Sequence, residues 1–143
     1  MSMKATARAH PIQGLVKYHG MRDPQLRLPY HDSISVCTAP TNTTTTVEWL
    51  EGGDPTDDVY LIDGEEVDGR AAERIEMVVD HVRELAGFDH GVRFESENSF
   101  PSNIGFGSSS SGFAAAALAL VEAAGLDMSL PEVSTVARRG SSS

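Results

Sequence analysis

Apolar and polar positions alternate through the first half of the chain and recur at helical spacing through the second. Ala5 to Ala9 and Gly14 to Tyr18 are short apolar or alternating stretches divided by Pro11, and each predicts a strand. Ser33 to Thr38 and the β-branched run Thr43 to Trp49 predict two more, paired with each other across Ala39-Pro40-Thr41-Asn42. Val59 to Ile62, then Asp63-Gly64, then Glu65-Glu66-Val67 spells a hairpin. Gly91 to Ser96 alternates as a half-buried strand does.

Between Arg70 and Ala86 the period changes. Ala71, Ile75, Val78, Val79, Val82, Leu85 and Ala86 form one apolar stripe, Glu73, Glu76, Asp80, Arg83 and Glu84 take the opposite face, and Gly87 is placed to end the helix. Arg74 falls beside the stripe near Val78 and Leu85, where its stem can be covered while its head points along the edge. Geometry alone makes it a snorkelling surface arginine. Ser108 to Ala124 contains an Ala/Leu-rich segment typical of a buried helix. Ser129-Leu130-Pro131-Glu132 opens a last helix, with serine as cap, proline in the first turn and glutamate as capping-box partner, and it reaches Arg138-Arg139-Gly140. The order is several strands, helix, strand, Gly/Ser turn, helix, helix. It predicts a mixed α/β (α+β) domain without the βαβαβ alternation of a doubly wound dinucleotide fold.

The turn Pro101 to Gly112, PSNIGFGSSSSG, is the segment richest in chemistry. Gly105 and Gly107 let the backbone approach a ligand closely, and the serines offer hydroxyls beside the unpaired N–H groups of a helix start, where the helix dipole favours an anion. Composition alone would make it a flexible linker. A linker, however, needs no strand before it and no helix after it, whereas a phosphate loop needs both. It is neither a Walker A loop, since no Gly-Lys-Ser or Gly-Lys-Thr occurs, nor the dinucleotide GxGxxG, which fails at its last glycine.

Charge and cysteine content narrow the classes. Acidic residues outnumber basic ones by 21 to 11, which argues against a nucleic-acid surface. The acids are spread rather than clustered, and only Lys4 and Lys17 are lysines, a solvated acidic surface like that of proteins from salt-loving archaea. Cys37 is the single cysteine and lies in a predicted strand, so no disulfide forms within the chain and a reducing cytoplasm suits it. The longest apolar run, Phe113 to Val121, is far short of the roughly 20 residues that span a bilayer, and the first ten residues carry no signal-peptide core.

Four segments carry a resemblance. Lys17-Tyr18-His19-Gly20-Met21-Arg22-Asp23 resembles KYWGKRD, Leu28 to Val36 resembles LPINSSLSV, Phe100 to Gly112 resembles FPTAAGLASSAAG, and Ala137 to Ser143 resembles ARRGSGS. In this order they are the pattern of the mevalonate diphosphate decarboxylases of the GHMP kinase superfamily, and more closely of the phosphomevalonate decarboxylases of halophilic archaea. The match runs from about Ala5 to Ser143. Mevalonate, galactose and homoserine kinases of the same superfamily share the phosphate loop, but not KYHGMRD and ARRGSSS. A non-catalytic nucleotide-binding module is the rival from another class.

The resemblance implies a GHMP-kinase amino-terminal lobe, of the ribosomal protein S5 domain 2-like type, with a mixed sheet packed on helices over residues 1–143. It implies ATP with Mg2+ bridging its phosphates, bound through Pro101, Gly105, Gly107, Ser108, Ser109 and Ser110. The phosphorylated mevalonate would lie against Tyr18, His19, Gly20, Met21, Arg74, Ser141, Ser142 and Ser143. His19 is as readily a structural histidine beside Tyr18. No nucleic acid or membrane is implied as a partner, and a homodimer is an allowed assembly of the full-length protein. Two departures stand out. Met21 occupies the place of a lysine that can meet the terminal phosphate of a diphosphate substrate, which points to 5-phosphomevalonate instead. The family's carboxylate-contacting arginine and catalytic aspartate lie beyond Ser143, so no catalytic residue and no protein ligand to a metal is expected within these 143 residues, an inactive amino-terminal fragment.

Overall fold

Thr43 to Leu50 alternates without a break, and its odd-numbered residues are buried while the even-numbered ones reach solvent in part. That pattern belongs to a strand with one wet face, and it sets the architecture. The computed structural model describes residues 3–16, 20–30, 32, 34–37, 41–99 and 108–140. In chain order the strands are β1 (Lys4–Ala9), β2 (Ile12–Val16), β3 (Met21–Asp23), β4 (Leu28–Pro29), β5 (Ile34–Cys37), β6 (Thr43–Leu50), β7 (Val59–Ile62), β8 (Glu65–Glu66) and β9 (Gly91–Asn98). The helices are α1 (Gly69–Ala86), α2 (Ser108–Ala123) and α3 (Leu130–Arg138).

The main sheet has the order β1-β6-β9-β7-β8 and is mixed: β7 and β9 are parallel, and the other neighbours are antiparallel. A parallel pair needs a long crossover, and α1 supplies it. All three helices share one core with the inward side chains of the sheet, among them Val47, Trp49, Tyr60, Val92 and Phe94. β1 and α2 lie in contact and both supply alanines to that core, Ala5 and Ala7 from β1 and Ala116, Ala117 and Ala119 from α2. Small side chains on both surfaces suit a helix laid flat on an edge strand. β2 pairs with β5 and β3 with β4 in two small ribbons outside this sheet.

Several expectations hold. The Asp63-Gly64 turn has positive φ at both residues, 52° and 83°, as a tight hairpin requires. Gly87 ends α1 in the left-handed conformation, with its N–H donating to the Arg83 carbonyl, and Ser129 and Glu132 form the capping box of α3. Others need correction. The strand that starts at Ile34 does not pair with Thr43 to Trp49; β5 pairs with β2, while β6 lies between β1 and β9. The alternation of Thr43 to Trp49 suits a strand with two neighbours in the main sheet, and β1 and β9 fill both edges. The second strand is Ile12–Val16, earlier than the expected Gly14 to Tyr18, whose Lys17 and Tyr18 lie outside the described residues.

On α1 the buried residues are Ile75, Val78, Val79, Val82 and Arg83, so Arg83 is not on the solvent face and Ala71 and Leu85 are not covered. The cause is electrostatic. Arg83 donates to Asp58 and Asp80 and to the His90 carbonyl, and its guanidinium lies 5.7 Å from the centre of the Trp49 ring. Asp58 in turn accepts from the Val92 N–H at 2.9 Å and the Tyr60 hydroxyl at 3.1 Å. Burial, and then the Asp58 charge, push the Tyr60 phenol far up, so it stays a donor. The side chains of Arg83 and Asp58 are only 7% and 9% exposed, so neither charge can turn to water if the other is lost. Arg83→Met should therefore cost about 3–5 kcal/mol, read from the urea unfolding midpoint, with Arg83→Met/Asp58→Asn recovering part of the loss.

His81, on α1, is half-buried. Burial first, and then the nearby Arg139 charge, hold its imidazole below the usual value of 6.5, while Glu84 opposes them weakly. A depressed folded-state pKa gives stability that is complete above 6.5 and fades as pH falls through the folded value. His81→Gln should flatten the acid limb of a melting-temperature profile below pH 6.5 and leave the neutral plateau in place.

Candidate functional site

Three chain segments meet where β9 ends and α2 begins. Small polar side chains line this end of the sheet: the Thr43 hydroxyl bonds Asn98 Oδ1 at 2.6 Å and Ser111 Oγ at 2.7 Å, and Thr45 and Ser96 bond at 2.9 Å. Residues of this size keep the start of α2 close to the strand ends. Among the described residues no buried side-chain nitrogen or oxygen lacks a partner. The Gly/Ser segment thus lies between a strand ending at Asn98 and a helix starting at Ser108, the context a phosphate loop requires. The first turn of α2 carries backbone N–H groups with no intrahelical acceptor, a fit for phosphate oxygens.

Arg74 projects from α1 across this end. Its Nε and Nη2 donate to the Gly140 carbonyl at 3.1 and 2.6 Å, and its guanidinium carbon lies 5.1 Å from the Phe113 ring centre. Stacking and the forked bond hold the plane in one orientation. Two of its five N–H donors are used on Gly140, which leaves three for a ligand. Burial, followed by the like charges of Arg27 and Arg70, lowers the Arg74 pKa from its ordinary value, yet an arginine stays protonated at neutral pH. The expected snorkelling arginine is instead a clamped cation.

Gly140 is glycine for a steric reason. A Cβ there would lie 2.2 Å from Phe113 Cδ1, so the ring and the last turn of α3 fit only without a side chain. Beside this junction is a cavity of about 260 Å³, walled by Ile75, Phe94 and Phe113 with Arg74, Ser96 and Asn98 as its polar groups. Sequence reasoning passed over Phe113, Asn98 and Gly140. Phe113 was visible as the lone aromatic heading an alanine run, and Gly140 as the glycine of the ARRG segment.

Of the expected substrate contacts, Gly20, Met21 and Arg74 are described. Gly20 has φ +79°, and a Cβ there would meet the Tyr30 ring at 3.4 Å; Met21 begins β3, opposite Pro29, and is half-buried. Of the expected ATP contacts, Ser108, Ser109 and Ser110 form the start of α2. Tyr18, His19, Pro101, Gly105, Gly107, Ser141, Ser142 and Ser143 lie outside the described residues. Among the described residues no three His, Cys, Asp or Glu side chains cluster to hold a metal ion. A divalent ion brought here by a nucleotide would draw its oxygen ligands chiefly from phosphate and water. No helix of the described residues is long and apolar enough to cross a membrane.

Gly140→Ala tests the junction. The added methyl must displace Phe113, at a cost of about 1–3 kcal/mol, and should lower the urea midpoint; Gly125→Ala, which has open space at a strained φ of +71°, separates packing from backbone strain.

The diphosphomevalonate decarboxylase-like N-terminal domain family matches residues 9–143. The phosphomevalonate decarboxylase of Haloferax volcanii is 77% identical over 141 residues, covering 99% of this chain and 43% of that protein. The crystal structure of mevalonate diphosphate decarboxylase from Staphylococcus aureus aligns with a TM-score of 0.88 at 37% identity, over 99% of this chain and 42% of that one. A further structure, MDDEF in complex with MVAPP, AMPPCP and magnesium, aligns with a TM-score of 0.89 at 32% identity, over 99% of this chain and 42% of that one. The chain thus spans less than half the length of these relatives.

Proposed function

Since the chain belongs to the diphosphomevalonate decarboxylase-like N-terminal domain family, we propose that the full-length protein catalyses ATP-dependent decarboxylation of (R)-5-phosphomevalonate to isopentenyl phosphate, a step of isoprenoid synthesis in the cytoplasm. The observation that carries this reading is the 77% identity to a phosphomevalonate decarboxylase. Met21 supports it, because an uncharged side chain in place of a lysine suits one phosphate better than two.

In this reaction ATP supplies a phosphoryl group to the tertiary 3-hydroxyl. The C–O bond to that phosphate then breaks, the carboxylate leaves as carbon dioxide, and the electrons of its C–C bond form the terminal alkene. Residues 1–143 form the amino-terminal lobe and contribute binding walls. Ser108, Ser109 and Ser110 at the α2 start, with Pro101, Gly105 and Gly107 before them, would hold the ATP phosphates, and a Mg2+ ion brought with them would neutralise phosphate charge. Tyr18, His19, Gly20, Met21, Ser141, Ser142 and Ser143 surround the acid substrate. Arg74 turns its three remaining donors to the phosphate or carboxylate of that substrate, held in place by Gly140 and Phe113. These 143 residues alone lack the groups that complete the chemistry.

A coupled assay of the full-length protein with ATP checks the reading. Phosphomevalonate should give carbon dioxide and isopentenyl phosphate, and the diphosphate should be a poorer substrate by about tenfold or more in kcat/KM. Met21→Lys should raise turnover of the diphosphate. Equal use of both substrates, no gain from M21K, or carbon dioxide release by residues 1–143 alone would each count against it. Arg74→Lys should lower kcat/KM by about 10–100-fold, because a lysine cannot hold Gly140 and a substrate oxygen at once.

A further inference from the structure

We propose that Arg27 and Arg70 form one anion-binding cluster with Arg74, and that this cluster receives the phosphomonoester end of the acid substrate; the identity of that substrate rests on the function proposed above. Neither residue lies in a segment that carried the resemblance as a binding position. Both were invisible as site residues in the sequence.

The turn that bears Arg27 is built with care. Asp23 accepts the N–H groups of Gln25 and Leu26, both at 3.0 Å, and so closes the turn between β3 and β4. The Leu26 carbonyl accepts from Arg138 Nε at 2.9 Å, which fastens the turn to the end of α3. Arg27 itself has φ +55°, a left-handed conformation that glycine or asparagine adopts at less cost. An arginine held in a strained backbone, in a turn anchored from both sides, is a sign that its side chain is wanted there.

Arg70 lies one helical turn before Arg74 on α1, on the same face, and is exposed. Arg74 bonds the Gly140 carbonyl while Arg138 bonds the Leu26 carbonyl, so α1 and the Arg27 turn are tied to the same end of α3, two residues apart. Arg70 therefore starts one turn from Arg74, and the backbone turn that carries Arg27 is anchored to the same end of α3 that Arg74 grips. Arg27 and Arg70 are also the two charges that oppose protonation of Arg74. Among the described residues the ion pairs belong to Lys4, Arg83 and Arg93, and no carboxylate pairs with Arg27, Arg70 or Arg74. In a chain of net charge −10, with carboxylates in excess, three adjacent unpaired cations are a costly arrangement that a phosphate dianion relieves. The cluster also accounts for Met21, which stands on the same β3–β4 ribbon as Arg27 and carries no charge. The cation absent at position 21 is replaced by others that reach the phosphate from a different side.

The test uses the full-length protein and three variants: Arg27→Asn, Arg70→Gln, and Arg93→Gln as a remote exposed control. Asparagine suits a left-handed backbone, so R27N should fold at least as well as the parent; R27G serves if it does not, and R27K should restore function. We expect R27N and R70Q each to raise KM for phosphomevalonate about tenfold, with kcat and the KM for ATP within about twofold of the parent and R93Q unchanged. We also expect inorganic phosphate to raise the melting temperature of the parent, and this gain to shrink in R27N and R70Q. Unchanged KM for phosphomevalonate, a rise in KM for ATP instead, or an undiminished phosphate gain in both variants would overturn the proposal. If the parent does not turn over phosphomevalonate, the functional reading falls and the phosphate melting shift alone decides the cluster.

Discussion

The Arg83 guanidinium rests on Asp58, Asp80 and the His90 carbonyl, and by those bonds it fastens α1 to the start of β7 and to the start of β9. α1 is the crossover between β7 and β9, the parallel pair of the main sheet among the described residues, and these bonds help to fix its position along β9. Everything at the far end of the helix inherits that register. Arg74 reaches the Gly140 carbonyl and the Phe113 ring because the helix is pinned at Arg83, and Gly140 in turn sets where α3 delivers its last turn. A buried charge pair is seldom the cheapest way to hold a helix, but unlike an apolar contact it admits only one alignment.

The parts of the fold set by local chemistry were legible in the sequence. The Asp63-Gly64 turn, the Gly87 stop and the Ser129 cap each depend on a few adjacent residues whose backbone preferences leave little choice. The pairing of β5 was not legible, because β-branched residues at 43 to 49 state that a strand forms without stating its neighbours. Arg83 was misplaced for a related reason. Periodicity assigns a charged residue to the wet face unless a distant carboxylate is known to await it, and Asp58 lies 25 residues away. At the site, the strand–turn–helix frame around the Gly/Ser segment was readable. The company that Arg74 keeps was not, since Phe113 reaches it from α2 and Gly140 from the turn after α3.

The electrostatics of the site run against those of the molecule. A chain of net charge −10 surrounds itself with a field that repels phosphorylated acids and nucleotides alike. Arg74, held against Gly140 and Phe113, puts a positive charge at the end of the sheet from which α2 starts, and the proposed cluster with Arg27 and Arg70 would widen it. Contrast of this kind orients an approaching dianion better than a uniformly basic surface would, because only one direction of approach is favourable. In high salt the long-range part is screened, and the contact donors of the guanidinium groups do most of the selecting.

The sheet order has a consequence for how the chain comes to be folded. β6 and β7 follow each other in sequence, yet β9 lies between them. Until a ribosome has delivered residue 98, the two halves of the sheet face each other across an empty lane, each with a bare row of backbone donors and acceptors. α1 must already be in place to carry the chain back, and acidic residues are scattered through 51–97, the stretch that emerges while β1 and β6 wait for β9. Mutual repulsion there discourages the open edges of one nascent chain from pairing with those of another. The surplus of negative charge is thus useful before there is any folded surface for it to cover.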